Sequence, residues 1–153
     1  MQKNNSWNLK DIYENKEKLE KDKEELLNML DKIYMCKGRL TKKKENMLQT
    51  FKLYEKALEK LEKIYAYAIL NYHIEMKNNE KIKMFKEAEK LDSFFEEKTS
   101  FIEPEILSGN EETIRAYLKE EGLEKYKIKI EKILQDKEHT LMEKEEKLFA
   151  NYQ

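Results

Sequence analysis

No Pro or Gly occurs from Lys42 until Pro104, and this gap constrains the fold more than any other feature of the sequence. Proline removes a backbone donor and clashes with the preceding turn, and glycine costs about 1 kcal/mol relative to alanine inside a helix. A stretch that avoids both and is rich in Lys, Glu and Leu folds as long helices. The whole chain of 153 residues has only 3 Gly and 1 Pro and is 41% charged, which excludes collagen, β-sandwiches and disulfide scaffolds. Regularly spaced Leu, Ile and Phe can offset the entropy of ordering the backbone, so the chain is not disordered. The expected class is all-α: an antiparallel helical bundle of about five to six helices with a long central helix and a short N-terminal strap.

Residues 1–14 form the strap in this reading, with Trp7, Leu9, Ile12 and Tyr13 in an extended or turn-like segment, and residues 15–153 form the helical domain. Asn15 caps a first helix reaching Tyr34 or Cys36, with the stripe Leu19, Leu26, Leu27, Leu30 and Ile33. Gly38 suits a left-handed stop and Thr41 a new N-cap. Phe51, Tyr54, Leu58, Leu61, Tyr65, Ala68 and Tyr72 then recur at alternating steps of four and three, the stripe of a helix about 35 residues long. From Ile64 to Ile74 the opposite face is apolar too, which predicts cover on several sides. A break at Lys77-Asn78-Asn79 leads to a third helix ended or kinked at Pro104, and Asn110 caps a short helix that Gly122 ends. A further helix spans residues 124–134, and Thr140 with Glu143 forms a capping box that opens a last one. Its stripe of Leu141, Leu148, Phe149 and Tyr152 is still running at Gln153, so the chain is expected to be truncated.

Lys plus Arg is 31 against 32 Asp plus Glu, a balance that describes solvated helix faces and excludes a nucleic-acid footprint. The single Cys36 admits no intramolecular disulfide and reads as a packing residue. The N-terminus has no apolar signal region, and residues 64–74 are too few to span a bilayer. A cytoplasmic protein with no membrane or nucleic-acid partner is expected. His73 and His139 cannot form the local imidazole pair of H-E-x-x-H, and no glycine-rich loop cradles phosphate. Ser6, Ser93, Ser100 and Ser108 lack a nucleophile context, and Tyr65, Tyr67 and Tyr72 read as core aromatics. No catalytic, cofactor-binding or metal-ligating residue is assigned.

Four segments carry a resemblance. Trp7-Asn8-Leu9-x-Asp11-Ile12-Tyr13, Tyr65-Ala66-Tyr67-Ala68-x-Leu70, Phe101-Ile102-Glu103-Pro104-Glu105-Ile106-Leu107 and Lys137-Glu138-His139-Thr140-Leu141 with Glu145, Glu146 and Leu148 occur in that order. Together they resemble the N-terminal domain of oligoendopeptidase F, a zinc peptidase of the thimet-oligopeptidase type. Glu138 stands where that family often has Pro, and Met142 where it often has Ser. The resemblance implies a non-catalytic helical part forming one wall of a channel that admits short peptides. The zinc ligands and catalytic glutamate would lie in a separate catalytic domain, in cis or in trans, since nothing here matches HExxH. The alternative is a stand-alone helical module that binds peptides or a protein partner without chemistry.

Overall fold

The computed structural model describes residues 9–151. All regular structure among them is helical, in the order α1 (Leu9–Ile12), α2 (Lys16–Tyr34), α3 (Lys44–Ile74), α4 (Asn79–Thr99), α5 (Ile102–Ser108), α6 (Glu111–Tyr117), a 3-10 turn (Glu124–Tyr126) and α7 (Lys127–Asn151). They group into two compact units, residues 9–35 with 52–99 and residues 36–51 with 100–151.

In the first unit α2 packs along α4. Asn15 accepts the Lys18 N–H at 2.9 Å and caps α2 as expected. Leu19, Leu26, Leu30 and Ile33 are buried, while Leu27, one residue round the helix, is 38% exposed at the edge of the stripe. The α3 residues Ala57, Leu61, Ile64 and Ala68 supply further core, and Asn78 opens α4 by accepting from Glu80 N–H at 2.9 Å. Where the sequence predicts an extended or turn-like strap, residues 9–12 make one turn of helix; Trp7 lies outside the described residues. Cover around residues 64–74 is also less complete than the periodicity predicts. Tyr65 and Tyr72 lie against Phe85 of α4 and Tyr67 meets Tyr13 edge-on, but Ile69 and Leu70 are only half-buried and Ile74 is 62% exposed.

In the second unit α5 packs against α7, and Leu40, Met47, Phe51, Ile106, Ile114, Leu123 and Ile130 form the core. Pro104 sits in the first turn of α5, where its missing N–H would have had no intrahelical partner. Thr41 does not cap α3, which starts at Lys44; Thr41 instead packs beneath Gly109. Asn110 caps α6 by accepting the Thr113 N–H at 3.0 Å. The capping box is overturned, because α7 runs unbroken past Thr140. Residues 135–139 are Gln, Asp, Lys, Glu and His, none of which interrupts a helix. With Glu138 in place of the proline common in the resembling family, nothing pushes residue 137 out of the helical region.

Gly122 has φ +92, and a Cβ there would meet Leu48 Cδ1 at 3.0 Å. Gly122→Ala therefore combines left-handed backbone strain with crowding, and should lower unfolding free energy by about 1–2 kcal/mol in urea titration.

Candidate functional site

Three features stand out, each within one unit. The first anchors the N-terminal segment. Tyr13 is 3% exposed, its hydroxyl donates to Asp22 Oδ2 at 2.7 Å, and Lys63 Nζ lies 4.6 Å from its ring centroid. Lys60 of α3 joins the other Asp22 oxygen at 3.0 Å and Glu25 at 2.8 Å. Burial would raise the Asp22 carboxyl, but hydrogen bonds from Tyr13 and Lys60 and the nearby lysine charges outweigh it and hold it below its ordinary value. Hydrogen bonding to Glu25, then to Asp22, holds Lys60 above its own against burial. Burial, then the Asp22 hydrogen bond and charge, push the Tyr13 phenol up.

These directions fix a pH window. Asp22, depressed in the folded state, stabilises above about pH 4 and loses that contribution as acid protonates it. Lys60 and Tyr13, both raised, stabilise below about pH 10 and lose theirs in alkali. Asp22→Ala should cost about 1–2 kcal/mol at pH 7, because it leaves a buried phenol without its acceptor. The difference from the parent chain, followed by urea unfolding, should shrink below pH 4; a pH-independent difference would break the assignment to the ionised carboxylate.

The second feature is an open groove of about 860 Å³ along α2 and α4. Its floor is Leu27, Leu91 and Phe94, and Lys21, Glu24 and Lys90 are among its charged rim. Lys23 ties the helices together, with Nζ 3.2 Å from Glu20 and 3.2 Å from Glu87. An apolar floor between mixed charges suits an apolar side chain whose flanking backbone stays wet.

The third is a clamp on Glu105. The Gly38 N–H lies 2.9 Å from each carboxylate oxygen, and the Leu40 N–H donates to Oε1 at 3.4 Å. Gly38 takes φ +84, so the loop can turn its N–H groups toward one anion. Glu105 lies in the Phe101–Leu107 motif, but nothing local in the sequence marks this role. The pairing spans 67 positions, and only the turn at Gly38 hinted at it.

The residues weighed for chemistry are scattered. His73 is exposed, 5.8 Å from the Tyr72 ring, and His139 is exposed on α7. Cys36 Sγ is 3.9 Å from the Asn46 carbonyl. Ser108 donates to the Glu105 carbonyl at 3.3 Å, Ser93 and Ser100 are exposed, and Ser6 lies outside the described residues. Among the described residues no group of three or more His, Cys, Asp or Glu is placed to hold a metal ion. They do not fit the zinc that the resemblance implies for a full enzyme.

A family model described as Oligopeptidase F matches residues 105–153, which hold Glu105 and all of α7. The oligoendopeptidase F homolog of Borreliella burgdorferi is 32% identical over 97% of this chain. The chain belongs to the oligoendopeptidase F family, as an N-terminal domain. The oligopeptidase PepF of Bacillus subtilis is 27% identical over 95% of the chain, and the group B oligopeptidase PepB of Streptococcus agalactiae 30% identical over 94%. The chain spans about a quarter of the length of these relatives: 25%, 22% and 24%. No solved structure matches it. No helix among the described residues is long and apolar enough to cross a membrane.

Proposed function

We propose that this chain is the non-catalytic helical N-terminal part of an oligoendopeptidase F-like zinc metallopeptidase that hydrolyses short peptides, and that it forms one wall of the substrate channel. The division into an N-terminal strap and a helical domain, action in the cytoplasm and reliance on a separate catalytic domain belong to the same proposal. The observation that carries it is the alignment of nearly the whole chain with about a quarter of much longer oligopeptidases. The chemistry of bond cleavage then belongs to the rest of the enzyme, and this part contributes shape. The groove along α2 and α4 is the surface we assign to peptide contact, since it offers an apolar floor without an assembled set of reactive groups.

The test is a chimera in which this chain replaces the aligned quarter of the Borreliella homolog. Cleavage of a quenched oligopeptide by the chimera, with none by the 153-residue chain alone, is the expected result. A folded chimera without activity, or cleavage by the purified chain alone, would overturn the assignment. The groove also favours a second reading, a stand-alone peptide-binding module. Saturable binding of short peptides by the isolated chain, abolished by Leu91→Glu and paired with an inactive chimera, would select it.

A further inference from the structure

We propose that the outward face of α7 is a docking surface for a basic amphipathic helix in the catalytic portion of the longer peptidase; this rests on the reading just given. α7 has one apolar face in use, where Ile130 and Leu134 are buried. A second apolar column lies elsewhere on the same helix. Ile128, Met142 and Phe149 are 85%, 61% and 74% exposed. They share one heptad position, with Gln135 between them, so each lies within about 20° of the next around the axis. Ile128 projects roughly 160° away from Ile130, so the core of the unit does not reach it. Leu148, 58% exposed, lies five helical turns beyond Ile130 and so continues the inner face, not this column. Single exposed apolar residues are ordinary on a protein surface, but three at one heptad position along about 30 Å of helix form one line against which an amphipathic helix can lie.

The charges beside the column choose the occupant. Exposed Lys132, Glu138, His139, Glu145 and Glu146 fall three or four residues from its members, so its edges are acidic on balance, with three glutamates against one lysine. Two copies of this chain set column to column in parallel would bring these glutamates together along the seam, where like charges oppose pairing. A helix carrying Lys or Arg beside its apolar residues meets the same edge favourably. One helix pair also falls short of the roughly 800 Å² per partner of a stable association, so the occupant must be held nearby by the rest of its chain. The length by which the relatives exceed this chain provides for that: it covers only 25% of the Borreliella homolog.

Amide hydrogen exchange over residues 142–150 tests the proposal, in the isolated chain and in the chimera. These amides should exchange at least tenfold more slowly in the chimera. Met142→Glu combined with Phe149→Glu should restore the isolated-chain rate while leaving the urea midpoint of the isolated chain unchanged, because both residues are exposed. Charge reversal at Glu138 and Glu145 should also speed exchange in the chimera. An active chimera whose residues 142–150 are unprotected, or equally protected in the double variant, would overturn the docking face and leave the peptidase reading standing. A folded, inactive chimera overturns the peptidase reading and this inference with it. Dimerisation of the isolated chain that the double variant abolishes would make the occupant a second copy and overturn the proposal as stated.

Discussion

Phe51→Ala should lower the unfolding free energy by about 3–5 kcal/mol, the largest loss expected from any single substitution discussed for this chain. Phe51 is 1% exposed and its ring stacks on Tyr126, with centroids 5.2 Å apart and planes 24° from parallel. Truncation removes the transfer free energy of the ring, leaves a cavity among rigid neighbours, and ends a stacking contact worth about 0.5–1.5 kcal/mol beyond the buried area. Domains of this size are stable by only about 5–15 kcal/mol, so the variant should melt roughly 10 °C lower. Phe51→Leu keeps most of the volume and should cost about 1–2 kcal/mol. Urea and thermal unfolding of both variants check this. A loss under about 1 kcal/mol for the alanine variant would mean that the site collapses around the missing ring and that the stack is not part of a rigid core.

Phe51 also shows what the sequence could reveal. It begins the stripe that runs to Tyr72, and local rules of spacing find such stripes because a helix repeats every 3.6 residues whatever surrounds it. The same locality made Asn15 and Asn110 readable as caps, since each bonds an N–H three positions on. Pro104 marked a boundary for the same reason. Thr140 misled because a capping box is a start signal only where the preceding residues leave the helix, and residues 135–139 do not. Thr41 misled in the same way: the chain enters α3 at Lys44, and Thr41 lies under Gly109 instead. Periodicity likewise overstated the cover of residues 64–74, since it reports how many faces are apolar and not how many have a neighbour. The surfaces given functional weight depend on pairings distant in sequence. The groove joins Leu27 to Leu91 and Phe94, and Tyr13 and Lys60 share Asp22. The chain carries one of the rarer local signals, the heptad column on α7, but its exposure becomes visible only once Ile130 and Leu134 define the inner face.

Glu105→Ala should cost about 1.5–3 kcal/mol, the range for hydrogen bonds made to an ionised group. The carboxylate takes the Gly38 N–H on both oxygens at 2.9 Å and the Leu40 N–H at 3.4 Å, and so fastens the 36–42 loop to α5. Water can reach Gly38, which is exposed, and this holds the loss to a few kcal/mol. Leu40 is different: it is fully buried, and it stays so only while the loop holds its position. Glu105→Gln keeps an acceptor oxygen but loses the charge, and should retain about half the stabilisation. Glu105→Asp is the sharper comparison, because it preserves charge and shortens the reach by one methylene. If the clamp depends on geometry, Asp should behave more like Ala than like Glu. Urea unfolding orders the three variants, and amide exchange at Gly38 and Leu40 locates the effect, with protection falling there before it falls in α7. Equal stability for Glu and Ala at this position would show that water serves these amides as well as the carboxylate does, and the loop would then owe its place to Leu40 alone.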